Sequence, residues 1–335
     1  MSAGFSLLRV WLFVVVWMAH AGCAQLDSLF KKTDVEVAKP RIYVANESSS
    51  TISVLDAKTF RLVGTIDTKN HSTHDLALTR DGTRLFATNL ASGRLSVIDT
   101  NLLETVASIY IGNRCHVVAL SNDNRQAWIA NIGEDTISIM DTATYRVLGT
   151  IPLGKGPTSI AFSQDGRFAF VSTQGKTVQV IDTATHQVVR TIPVGADPHF
   201  LVLSPDGRIW GTNAGGDDIF IIDPVTHEKV ITMDVGPQPQ QIAFGYKGMQ
   251  GPNAYVTVSG LGKVVVINAE SKSLRVIDQI EVGKGPNGIW SNPEGTRLYV
   301  GQQPTNLLRV IDTGTNQIIT TVSVGSKPVR VIGAR

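Results

Sequence analysis

From Arg41 to Arg335 short apolar runs alternate with clusters of turn residues, and their order repeats about every 42 residues. One copy, Gly156 to Gly195, reads GPTSIAFSQDGRFAFVSTQGKTVQVIDTATHQVVRTIPVG. It holds four apolar runs separated by turn residues such as Gln-Asp-Gly and Asp-Thr-Ala-Thr. A helical repeat of similar length would place its apolar residues at a 3.6-residue period, which this one lacks. Four short strands in a unit of roughly 40–45 residues predict one propeller blade. Seven copies predict an all-β, seven-bladed β-propeller of four-stranded antiparallel blades over residues 41–335.

Four columns recur through the copies, each with a physical cause. An aromatic occupies the second strand as Tyr43, Phe86, Trp128, Phe170, Trp210, Tyr255 and Tyr299. One large planar side chain per unit suits the wedge between neighbouring blades, where both sheet faces are covered. An Asn ends that strand at positions 46, 89, 131 and 213, with Thr173, Val258 and Gln302 elsewhere. Asn bonds nearby backbone and tolerates left-handed geometry, so it is expected to stop the strand and start the turn. The third strand closes on an acid at Asp56, Asp99, Asp141, Asp182, Asp223 and Asp312, with Asn268 in the remaining copy. An Asx turn accounts for that acid better than catalysis does. Asp81-Gly82, Asp165-Gly166, Asp206-Gly207 and their counterparts Asp123-Asn124 and Glu294-Gly295 predict the tight turns between first and second strands.

These columns, with the run Tyr43-Val44-Ala45-Asn46, resemble the YVTN family of bacterial propeller repeats over residues 41–335. The resemblance implies the fold. It carries no single activity, because such propellers serve many roles.

The phase of the repeat adds a prediction about closure. Inner strands are expected to begin near His74, His116, Thr158, His199, Gln240 and Asn287, yet the chain opens at Arg41 with a second strand. The missing inner strand arrives only at Pro328 to Ile332. The C-terminal segment is therefore predicted to complete the first blade, which removes exposed sheet edges.

Ahead of the repeats, a single charge at Arg9 precedes ten apolar residues, Val10 to Ala19, and then His20-Ala21-Gly22-Cys23. That run is too short for a stable membrane span and reads as a signal peptide over residues 1–22. Small residues before Cys23 resemble a bacterial lipobox, which implies a lipidated Cys23, a polar tether over 23–40, and an exported, periplasmic, outer-membrane lipoprotein. His20 stands where that motif carries Leu, so cleavage after Ala21 is the competing expectation.

Composition narrows the classes further. Apolar residues make up 42% of the chain, and its net charge of +2 provides no broad basic field, so nucleic acid is not the favoured partner. Only two cysteines are present, Cys23 and Cys115, so no disulfide framework holds the fold.

Candidate chemistry belongs where the blades converge. Aligning the inner-strand entries puts His74, His116, Thr158, His199, Gln240, Asn287 and Val329 in one ring column. Three imidazoles at one mouth could hold a metal ion or a haem iron, or move protons near neutral pH. Arg114 and Cys115 precede His116, His71 lies close to His74, and Glu134, Asp135, Asp217 and Asp218 are expected on the same face. A structural alternative stands beside this: a His at strand entry can bond a carbonyl of the adjacent blade and recur by duplication alone. No Cys-x-x-Cys, His-Glu-x-x-His or Cys-x-x-Cys-His spacing occurs, which excludes covalent haem attachment.

Two readings of function follow. One is a binding scaffold, tethered to the membrane by its lipid, whose loop face holds a protein or cell-envelope ligand and needs no catalysis. The other is an enzyme of lactonase or lyase type, or a redox protein with a metal or haem, with His74, His116 and His199 as ligands and Arg114 holding an anionic group.

Overall fold

A computed structural model describes residues 39–247, 250–270 and 274–334. The expectations for the signal peptide, Cys23 and most of the tether lie outside the described residues. Within them the chain forms seven four-stranded antiparallel sheets, arranged as the repeat predicts. The second to seventh blades span residues 73–110, 115–152, 157–193, 198–234, 239–281 and 286–323, each in sequential strand order from the inner strand outward.

The first blade is assembled from both ends of the chain. Its second strand Arg41–Asn46, third strand Thr51–Asp56 and outer strand Leu62–Asp67 are consecutive, while its inner strand is Pro328–Gly333. In that seam Tyr43 stands opposite Ile332 and Val44 opposite Val331. Two further bonds, Glu47 N to Lys327 O at 3.0 Å and Ser48 N to Ser326 O at 3.1 Å, extend it beyond the strands. The predicted closure is thus what the sheet contains.

All seven aromatics of the second-strand column are buried, with at most 2% of any exposed. Each lies in an apolar cluster drawn from two adjacent blades, such as Trp128 with Phe162, Ala169 and Val171. The third-strand acid makes the expected turn: Asp182 Oδ1 accepts from Ala184 N at 3.0 Å and Thr185 N at 2.8 Å. The Asp-Gly turns place glycine at φ near +70°, as at Gly82 and Gly166, where a Cβ would be strained.

The Asn column works somewhat differently from its expectation. Asn46, Asn89, Asn131 and Asn213 are fully buried last residues of their strands, and none has positive φ. Left-handed geometry falls four residues later, at Ser50, Gly93 and Asp135. Asn46 Nδ2 donates to Ser53 Oγ at 2.9 Å, and Asn131 Nδ2 to Ser138 Oγ at 2.8 Å, tying the second strand to the third. Entry loops cross these amides so closely that a Cβ on Gly112 or Gly325 would fall within 2.8 Å of the Asn side chain.

Blades are also sewn together at the inner-strand entries, where a register shift frees one carbonyl for the neighbouring blade. Thr88 Oγ1 donates to His116 O at 2.8 Å, Thr212 Oγ1 to Gln240 O at 2.8 Å and Thr257 Oγ1 to Asn287 O at 2.7 Å. This stitching sets the height of the entry column in the ring. It therefore decides which side chains surround the axis.

Candidate functional site

The inner strands enclose an axial cavity of about 550 Å³. That size falls in the range of sites for small molecules, roughly 300–1,000 Å³. Its mouth is lined by the predicted column: His74, His116, Thr158, His199, Gln240 and Asn287. The imidazoles of His74 and His116 have ring centroids 4.2 Å apart, and those of His116 and His199 lie 6.0 Å apart at an edge-on angle. Sequence alignment therefore located three side chains that the ring does bring together.

Their protonation follows from their surroundings. Burial drives the His116 pKa well below its usual value, and the neighbouring His74 and His199 reinforce the shift. Burial likewise lowers His199 to about 4, with His74 as the next cause. Both rings are neutral at neutral pH. Nδ1 of His116 lies 2.9 Å from Thr158 O in the adjacent blade, the structural bond expected of a duplicated strand-entry histidine. His74 Nδ1 lies 3.3 Å from Glu47 Oε2.

Opposite the imidazoles the mouth is made of amides, with Asn287 Nδ2 donating to Gln240 Oε1 at 3.0 Å. Glu47 and Lys327 complete the rim as an ion pair, Nζ to Oε1 at 2.8 Å. Burial alone would raise the Glu47 pKa, but hydrogen bonds and charge from His74 and Lys327 bring it down to about 2. One residue further along the inner strands, Arg330 Nε lies 2.9 Å from Asp75 Oδ1 and Arg330 Nη1 donates to Gln241 Oε1 at 3.1 Å. The Asp75 contact is an ion pair whose angle falls short of a hydrogen bond. Asp75 Oδ2 in turn accepts Val118 N at 3.0 Å.

Several predicted neighbours stay outside the cavity. Arg114 is exposed in the turn before its strand, and His71 is exposed in the preceding loop; neither lines the mouth. Cys115 is buried in the interblade core, where burial pushes its thiol up to about 11 and removes it from thiolate chemistry. The loop acids serve the backbone or a neighbouring amide: Glu134 Oε1 accepts Asn113 N at 2.7 Å, Asp135 Oδ1 accepts Gly156 N at 2.7 Å, and Asp218 Oδ1 accepts Asn213 Nδ2 at 2.6 Å. Sequence reasoning missed Glu47, Lys327, Asp75, Gln241 and Arg330. The column that holds three of them, Asp75, Val117, Ser159, Phe200, Gln241, Gly288 and Arg330, has no residue in common between copies, so the repeat carried no signal for it.

The donor set can be tested against a metal or a haem. Nδ1 of His116 is engaged by a carbonyl and Nδ1 of His74 by a carboxylate, an arrangement that leaves Nε2 of each ring as the donor to test. Among the described residues no three His, Cys, Asp or Glu side chains converge as a metal ion needs. A haem with an axial imidazole needs a flat apolar slot beside it, whereas these rings are flanked by Glu47, Lys327, Gln240 and Asn287. As placed, the trio fits neither group.

Comparison with known proteins agrees with the architecture. The family described as YNCE-like beta-propeller matches residues 105–202. No curated protein matches the chain. Among solved structures, the periplasmic gluconolactonase of Pseudomonas aeruginosa superposes with a TM-score of 0.73 at 17% identity, covering 88% of this chain and 99% of that one. A functionally unknown protein from Desulfotomaculum acetoxidans gives 0.76 at 17% identity, with coverage of 88% and 99%. Hydrazine synthase of Kuenenia stuttgartiensis gives 0.69 at 17% identity, with coverage of 77% and 88%. At such identities the likeness is one of fold alone. The repeat and the closed ring make this chain a seven-bladed β-propeller, of which residues 105–202 match the YNCE-like beta-propeller family.

Proposed function

We propose that this propeller is a binding module whose axial mouth takes a hydroxyl-rich ligand, a segment of cell-envelope glycan. One observation carries the reading: the mouth combines the neutral imidazoles of His116 and His199 with amides and a hydroxyl, and the charges beside them are paired as Glu47 with Lys327 and Asp75 with Arg330, while Arg80 lines the cavity beyond the other end of its inner strand. Such a lining offers donors and acceptors at little electrostatic bias, which suits sugar hydroxyls. The rings of His74 and Phe200 also line the cavity and add apolar surface to it.

Titration calorimetry of the mature chain with neutral and acidic oligosaccharides tests this. Binding of at least one, weakened about 10-fold in His116→Ala and in Asn287→Ala, is expected, since each change removes one or two hydrogen bonds. Absence of binding to every oligosaccharide would overturn it. The same reading includes export and a lipid anchor at Cys23, so Cys23→Ser should release the protein from membranes.

A second reading, a lactonase-type enzyme, draws on the three imidazoles gathered at the mouth; the lowered pKa of His116 and of His199 keeps both unprotonated near neutral pH and makes each a weaker base than an ordinary imidazole. The gluconolactonase likeness adds only a shared scaffold. Hydrolysis of a sugar lactone by the pure protein, lost in His199→Ala, would favour this enzyme over the module.

A further inference from the structure

Arg330 belongs to the strand that closes the ring, and its guanidinium reaches across the axis. From the first blade it meets Asp75 of the second, Gln241 of the sixth and the ring of Phe200 of the fifth, the last at 5.1 Å from the ring centre. The second blade lies across the seven-bladed ring from the fifth and sixth, so a group touching all three lies near the channel centre. It forms the floor of the mouth, one residue below the His74 column. A guanidinium carries five N–H donors in a planar fork. The described residues accept one of them in a hydrogen bond, at Gln241 Oε1, and Nε faces Asp75 without hydrogen-bond geometry. The side chain keeps 21% of its surface exposed, toward the cavity that it lines.

We infer that Arg330 is a binding residue, the anchor for a carboxylate on the ligand, so that the glycan taken at the mouth is an acidic sugar. This rests on the binding reading above. The two carboxylates of the lining are already engaged, Asp75 by Val118 N and Arg330, and Glu47 by Lys327 and His74. A ligand carboxylate would meet the donors left at the tip of the fork, those of Nη2 first, while Gln241 and the Phe200 ring hold the guanidinium in place. Charge-assisted bonds of this kind are worth about 10-fold or more in affinity. Because Arg330 and Lys327 lie on or beside the closing strand, binding should also tighten the seam.

Glucuronate, glucose and acetate are titrated into the mature chain while the arginine Nε–H resonances are followed, with the Arg330 signal assigned by its loss in Arg330→Lys. Glucuronate is expected to shift that signal, to bind about 10-fold tighter than glucose, and to slow amide exchange of Val329 and Val331. The preference should vanish in Arg330→Gln. The wild-type spectrum keeps the test decisive if that variant fails to fold. Equal binding of glucuronate and glucose, with the Arg330 signal unmoved, overturns the anchor and leaves the glycan module standing. A shift with acetate but no binding of either sugar supports the anchor and sinks the glycan reading.

Discussion

Each aromatic of the repeat sits where two blades meet, so its loss should be felt across a seam. Trp128→Ala is expected to lower unfolding free energy in urea by about 3–5 kcal/mol, the usual cost of emptying so large a buried site. The mouth histidines set a pH dependence with a definite direction. An unfolded imidazole takes up a proton below about pH 6.5, whereas folded His199 resists until about pH 4, so acid favours the unfolded chain between those values. Stability should be level from neutral pH to about 6.5, fall toward pH 4, and fall less in His199→Gln. Glu47 adds a separate loss lower down: its contribution is complete above its ordinary value of 4.5 and vanishes as pH drops through about 2. His74, His116 and His199 were legible because duplication repeats them at one register. Glu47 and Lys327 were not, since neither recurs and 280 residues separate them along the chain.

The strand Pro328–Gly333 is the element on which the ring depends. Removing residues 328–335 takes away the inner strand of the first blade and the residues Val329 and Val331, buried in two adjacent clusters. Loss of a cooperative unfolding transition in the truncated chain is the expected outcome, read by circular dichroism. A gentler probe is Gly288, whose Cβ would come within 2.7 Å of Val329 O and 2.9 Å of the Arg330 Cα. Both atoms belong to backbone and cannot swing aside, so Gly288→Ala should cost about 1–3 kcal/mol by overpacking and loosen Arg330. The need for a closing strand was readable from the phase of the repeat. The tightness of its approach at Gly288 was not, because a glycine in a strand reads the same whether or not another backbone lies against it.

Across the ring, stability is shared among interblade seams, and the described residues contain no disulfide. Melting temperature is therefore expected to be indifferent to reductant, and in a Cys23→Ser chain Cys115 should label with a thiol reagent only as the protein unfolds, given its burial and raised pKa. Strand order, turn chemistry, interblade aromatics and circular closure all follow from local spacing repeated seven times, since every copy solves the same packing problem. The balance of charges around the axis does not. Asp75, Gln241, Phe200 and Arg330 come from four copies that differ at this one position, and they meet because closure points them at a common centre. Repetition could announce a propeller with imidazoles at its mouth, but the floor beneath them arises from departures from that repetition, which acquire neighbours only when the ring shuts.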